Sequence, residues 1–180
     1  APPAADLSLT KTVDDDTPTA SQNQVTGLVD EDGVVEGAAD GGGGDGIAGG
    51  VGDVPGAPTV ASGSVSSLFN TGADAPLSFG FPANAVAALE GLGLTSNGVA
   101  LDYAIVGNTV TASTAAGDVF TFELNANGSW EFTLIDQLDH ADGANENDLT
   151  INLGNIIEAT DADADAVVGN ANGLVITVDD

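Results

Sequence analysis

Five consecutive positions toward the carboxyl end of this 180-residue chain read Asp161-Ala162-Asp163-Ala164-Asp165. Carboxylates at alternate positions suit a calcium loop, because a turn can gather i, i+2 and i+4 around one ion. Ca²⁺ takes six to eight oxygens at about 2.3–2.6 Å, so several acids must converge. The same spacing also serves as a solvated acidic turn. An EF-hand is excluded, since that loop needs Gly at position 166 and Glu at 172, where the chain has Ala166 and Asn172. Other acidic clusters are Asp14-Asp15-Asp16, Asp30-Glu31-Asp32, Asp139 with Asp142 and Glu146, and the terminal Asp179-Asp180. The metal ligands expected from these clusters are Asp14, Asp15, Asp16, Asp30, Asp32, Asp139, Glu146, Asp161, Asp163, Asp165, Asp179 and Asp180.

Total charge favours a metal over mere solvation. The chain carries 28 acidic residues against a single basic one, Lys11, for a formal charge of −27. One cation cannot balance that set through salt bridges, and a compact fold would repel itself unless positive charge came from outside the sequence. With no cysteine and one histidine, the available ligands are oxygens, which select Ca²⁺ or Mg²⁺ over zinc or copper. Ca²⁺ is the expected cofactor. The same charge excludes nucleic acid and anionic membrane surfaces as partners. No run of about 18 apolar residues is present, so no membrane insertion is expected.

Other chemistries find less support. Gly41-Gly42-Gly43-Gly44-Asp45 and Gly49-Gly50-Val51-Gly52-Asp53 resemble the glycine-rich calcium nonapeptide but place Asp one position early. Two imperfect copies cannot stack into a parallel β-roll. His140 beside Asp139 invites a hydrolytic triad, yet no G-x-S-x-G elbow or other device positions a nucleophile. No catalytic residue is assigned, and the chain is not expected to be an enzyme.

The elements that must position these acids read as all-β. Asp6–Val13 alternates as a first strand, and residues 33–58 form a long Gly-rich loop. Strand signals resume at Thr59–Val65 and Leu77–Phe81, and Ala85–Leu92 fits one or two helical turns. Leu101–Val106 and Thr109–Ala112 flank Gly107-Asn108, a two-residue hairpin signature. Phe120, Phe122 and Leu124 alternate with Val119, Thr121 and Glu123; Trp130, Phe132 and Leu134 alternate with Ser129, Glu131 and Thr133. Each strand thus offers one apolar face to a core. Leu149–Leu153 and Leu174–Val178 supply later strands. The expected fold is an Ig-like or cadherin-like antiparallel β-sandwich with a long Gly-rich loop and calcium-binding loops.

Thr12-Val13-Asp14-Asp15 recurs as Thr177-Val178-Asp179-Asp180, an offset of 165 residues. That echo reads as one unit of a tandem array, with residues 1–13 belonging to the linker from a preceding unit and 14–180 forming one repeat. The acids at the junction would then be a natural place for ions that stiffen the linker; the competing reading is a flexible linker held open by repulsion.

The segments Gly128-Ser129-Trp130-Glu131-Phe132-Thr133-Leu134, Leu138-Asp139-His140, Glu146-Asn147-Asp148-Leu149 and Ala159-Thr160-Asp161-Ala162-Asp163 together resemble repeats of bacterial RTX adhesins secreted by type I systems, among them VCBS-type and cadherin-like or Ig-like repeats. Val29-Asp30-Glu31-Asp32-Gly33 resembles the start of such repeats. The likeness covers about 128–165 well, the N-terminal third loosely, and residues 66–100 not at all. Ala164 stands where the pattern has Gly. The resemblance implies a Ca²⁺-stiffened extender module at the bacterial cell surface, whose partners are neighbouring repeats of the same chain and which projects a distal adhesive region for attachment or biofilm. The alternative is a ligand-binding adhesion domain gripping a surface glycan or protein through residues 33–58 and 66–100.

Overall fold

The computed structural model describes residues 16–34, 55–141 and 148–179. The expected first strand at Asp6–Val13 and most of the Gly-rich loop lie outside the described residues, as does the linker assigned to residues 1–13.

Among the described residues, fifteen short strands and one α-helix follow in order. They are β1 (Thr19–Ala20), β2 (Val25–Asp30), β3 (Val60–Ser64), β4 (Phe69–Asn70), β5 (Ser78–Gly80), α1 (Ala85–Glu90), β6 (Thr95–Ser96), β7 (Val99–Ala100) and β8 (Asp102–Val106). Then come β9 (Thr109–Ser113), β10 (Asp118–Leu124), β11 (Ser129–Leu134), β12 (Leu149–Asn152), β13 (Glu158–Thr160), β14 (Ala166–Val168) and β15 (Leu174–Asp179). The protein is an all-β sandwich. A five-stranded sheet ordered β3-β11-β10-β9-β8 forms one layer; two three-stranded sheets, β12-β15-β2 and β14-β13-β5, supply most of the remainder.

The middle of the chain builds the large sheet by simple hairpins. Gly107, at φ +63°, takes the left-handed position that the tight β8–β9 turn requires. Across β10 and β11, Phe120 faces Leu134, Phe122 faces Phe132 and Leu124 faces Trp130. These six side chains are all buried, and Phe120 stacks on Phe132 with ring centroids 4.9 Å apart. Burying each such side chain contributes about 1.5–3 kcal/mol. Ile151, Leu174, Ile176 and Val178 of the second layer complete the core.

Two features depart from a simple run of antiparallel, alternating strands. Val119 is buried although its neighbour Phe120 is buried too. A bulge between Asp118 and Phe120 turns both inward, and the Val119 carbonyl accepts the amides of both Ile135 and Asp136. The other departure is β2, which pairs with β15 in parallel, the one parallel pairing among the described strands. Gly27 makes that placement feasible: a Cβ there would lie 2.8 Å from Ile176 Cδ1 and 2.9 Å from Trp130 Cη2. The glycine lets the strand close over the indole. No helix among the described residues is long and apolar enough to cross a membrane.

Candidate metal centre

β13 ends at Thr160, and the chain turns at once through Asp161 into β14. The turn is closed by backbone and side chain together. Asp161 N–H donates to the Asp165 carbonyl at 3.0 Å, and Asp165 N–H donates to Asp161 Oδ1 at 2.8 Å. Ala164 N–H reaches back to the Asp161 carbonyl at 3.3 Å, with Ala164 itself at φ +79°. That left-handed value is natural for glycine, so Ala164 carries backbone strain.

The neighbouring strand brings in a third acid. β5 pairs with β13 through Ser78 opposite Thr160, and the loop before β5 crosses the turn so that Ala162 N–H donates to the Asp74 carbonyl at 3.2 Å. Asp74, Asp161 and Asp163 each offer a carboxylate oxygen, and these atoms lie within 4.8 Å of one another. Asp163 is exposed, Asp74 half-buried, and Asp161 only 7 % exposed. Asp161 Oδ1 holds the Asp165 amide, whereas its Oδ2 is buried with no hydrogen-bond partner. A buried carboxylate oxygen left unsatisfied is costly, more so beside two further carboxylates. This group of three aspartates could hold a metal ion. The orphaned oxygen and the all-oxygen donor set both fit a hard divalent cation.

Of the residues singled out by sequence, Asp161 and Asp163 meet here. Asp165 stands outside the three: its Oδ2 accepts the Thr17 hydroxyl at 3.3 Å, and its backbone closes the turn. Asp16 is close in another sense. Its Oδ2 accepts Ala73 N–H at 3.0 Å, next to Asp74, and Gly72 is so near that a Cβ there would sit 2.6 Å from the same oxygen. Asp74 was missed by sequence reasoning. It is an isolated acid in Thr71-Gly72-Ala73-Asp74-Ala75-Pro76, far along the chain from its partners, and only the Gly and Pro marked a loop there.

A second group of acids gathers where β2 ends. Asp30, Glu31, Asp136 and Asp179 are all at most 3 % exposed, and Asp30 is the register partner of Asp179 in the parallel pair. Asp30 Oδ1 caps the following turn through Asp32 N–H at 2.8 Å. Glu31 Oε1 accepts Leu138 N–H at 2.7 Å and lies 3.3 Å from His140 Nε2. Asp139 Oδ2 accepts Gly98 N–H at 2.8 Å. His140 is thus a partner of Glu31, its side chain 6 % exposed. Asp32 is half-buried at the same turn. Asp14, Asp15, Glu146 and Asp180, also expected as ligands, lie outside the described residues.

Comparison of the chain with protein-family models, with curated proteins and with solved structures found no match.

Proposed function

We propose that this chain is a calcium-stabilised extender module of a large bacterial surface adhesin, working outside the cell as a mechanical spacer between neighbouring repeats. The observation that carries the reading is Asp161 Oδ2, buried without a partner beside Asp74 and Asp163. Calcium, when bound there, supplies the positive charge that the sequence lacks. Its holders would be Asp74, Asp161 and Asp163, with Asp165 and Ala164 shaping the turn behind them.

The chain's own residues explain how such a centre serves a spacer. The incoming segment is laced to the loops that carry the three aspartates. Asp16 holds Ala73, Thr17 holds Asp165, and β1 pairs with β4 just before Asp74. Asn70 Nδ2 donates to Thr19 Oγ1 and Ser21 N–H to the Leu68 carbonyl. Without a cation, three facing carboxylates push the 70–74 and 161–165 loops apart, and those loops anchor the incoming chain. With one, the loops and the chain leading from the preceding unit are held together.

The test is thermal unfolding followed by near-UV circular dichroism of buried Trp130, in EDTA, in millimolar Ca²⁺ and in millimolar Mg²⁺. At free Ca²⁺ about 100-fold above Kd, binding to the folded state adds about 2.7 kcal/mol. For a domain of this size that raises Tm by about 5–11 °C, at roughly 2–4 °C per kcal/mol. A melt that ignores Ca²⁺ would sink the reading.

A further inference from the structure

We propose that Asn172-Gly173 is a self-modifying site, at which the folded protein converts its own asparagine into aspartate and isoaspartate with water as the co-reactant. The inference stands apart from the metal centre and from the spacer role.

The dipeptide Asn-Gly occurs three times in the chain, at 97–98, 127–128 and 172–173. Glycine has no side chain to hinder its backbone nitrogen from reaching the preceding amide carbon. That nitrogen gives its proton to hydroxide and bonds to Asn Cγ; the Cγ–Nδ2 bond breaks, and the amide nitrogen takes up a proton and leaves as ammonia. Water then opens the cyclic imide at one carbonyl or the other, giving aspartate or isoaspartate. No oxidant or reductant enters.

The fold restrains two of the three sites. Gly98 N–H donates to Asp139 Oδ2 at 2.8 Å, and a carboxylate beside it keeps the proton on that nitrogen. Asn97 Oδ1 also accepts Gln137 Nε2 at 2.9 Å. Asn127 Oδ1 accepts the amide and the hydroxyl of Ser129, at 2.9 and 2.7 Å, which pins its side chain. Asn172 is held by neither device. It is exposed in the turn that Gly173 N–H closes onto the Asn170 carbonyl at 2.8 Å. Its own hydrogen bond is made at the backbone carbonyl, to Gln24 Nε2 at 3.1 Å, and its side-chain amide has none among the described residues. The turn bond is neutral and lies at the surface, so it opens more readily than a bond to a carboxylate. A cavity of about 190 Å³, lined by Asn172 and Gly173 with Gln22, Asn23, Asn170 and Ala171, gives water access, and no carboxylate lines it to repel hydroxide.

The product acts on the fold at the entry to β15. Isoaspartate routes the main chain through Cβ and Cγ and so adds a carbon to it. That entry is fixed on both sides: Gly154 N–H donates to the Ala171 carbonyl at 3.0 Å, and Val25 N–H to the Gly173 carbonyl at 2.7 Å. β15 lies between β12 and β2 and buries Leu174, Ile176 and Val178, so a lengthened entry loosens the sheet.

The experiment incubates the protein in warm, mildly alkaline buffer, native and in denaturant, and follows each Asn-Gly peptide by mass spectrometry. Enzymatic methylation scores isoaspartate, which separates cyclisation from direct hydrolysis. In the native protein Asn172 should react at least tenfold faster than Asn97 and Asn127, with isoaspartate among the products, and the three rates should converge in denaturant. Ser129→Ala should raise the Asn127 rate, and Asn172→Gln should silence its own site. The isoaspartate fraction should melt below the wild type, whereas Asn172→Asp, which adds the charge without the extra carbon, should melt with it. An Asn172 that reacts in denaturant but stays intact in the native protein would overturn the proposal. Equal native rates at the three sites, or aspartate without isoaspartate, would overturn it too, and an isoaspartate fraction that melts like the wild type would overturn the effect on β15.

Discussion

Asp161 and Glu31 are both carboxylates buried in the same small sandwich, and the fold treats them in opposite ways. Glu31 is the more deeply buried, and its Oε1 is answered from within the protein by the Leu138 amide and His140. Asp161 is answered on one oxygen only; the other is buried without a hydrogen-bond partner, in a carboxylate that lies close to those of Asp74 and Asp163. The region around Glu31 has more buried acids, yet among the described residues it is the sparser cluster at Asp161 whose carboxylate oxygens converge to within 4.8 Å of one another. Crowding of acids is thus a poor guide to a metal centre. Convergence of donor atoms is a better one.

The largest expected effect sets these two residues against each other. Asp161→Asn keeps an acceptor for the Asp165 amide but removes the charge. It should abolish most of the Ca²⁺-dependent gain of about 2.7 kcal/mol at saturating ion, while leaving the melt in EDTA unchanged or higher through relief of repulsion. Glu31→Ala removes the acceptor of the buried Leu138 amide and the contact to His140, and should cost about 1–3 kcal/mol equally in Ca²⁺ and in EDTA. Glu31→Gln, which retains an acceptor oxygen, should recover much of that loss. Denaturant melts of the three variants in both buffers decide the matter. A Glu31→Ala penalty confined to Ca²⁺ would move the metal centre to the end of β2.

What could be read from sequence follows the same divide between local and distant causes. The hairpins from Asp102 to Leu134 were legible, because alternation and a Gly-containing turn lie within a few residues of each other. The helix at Ala85–Glu90 and the strands near Val60, Leu149 and Leu174 were legible for the same reason. β2 was not: Gly27 breaks its pattern, and what fixes it is a parallel partner at the other end of the chain and an indole from another sheet. The two-residue strands β1 and β4 hold each other and carry no pattern of their own. Asp161 and Asp163 were legible from their alternate spacing. Asp74 was not, since only the β5–β13 register brings it there. Asp165, at the same spacing, is not one of the three that converge; its amide donates to Asp161 Oδ1 and its Oδ2 accepts the Thr17 hydroxyl.

Ala164 gives a smaller, cleaner probe of the turn alone. At φ +79° an alanine bears about 1–2 kcal/mol of left-handed strain, and Ala164→Gly relieves it at the cost of about 0.5–1 kcal/mol in unfolded-chain freedom. The variant should be more stable by about 0.5–1 kcal/mol in Ca²⁺ and in EDTA alike, measured by the shift in denaturant midpoint. A gain seen only in Ca²⁺ would mean that the turn takes this shape only around the ion.

Tyr103 sharpens the comparison from outside both regions. Its hydroxyl is buried without a hydrogen-bond partner, like Asp161 Oδ2, yet no cluster of acids converges on it. The difference is that a phenol can keep its own proton. Burial, and then the charge of Glu90, raise its pKa from 10.0 to about 12. In the unfolded chain the phenol ionises near pH 10, whereas the folded protein still holds the proton, so the folded state binds more protons between those values and stability falls as pH climbs from about 10 to about 12. Tyr103→Phe removes the titrating group and should flatten that part of the stability curve without altering Ca²⁺ dependence at neutral pH. The effect is small, because the side chain is partly exposed and solvent screens it. If Tyr103→Phe instead weakened the Ca²⁺ response, an orphaned buried oxygen could no longer be used to tell the metal centre from the rest of the fold.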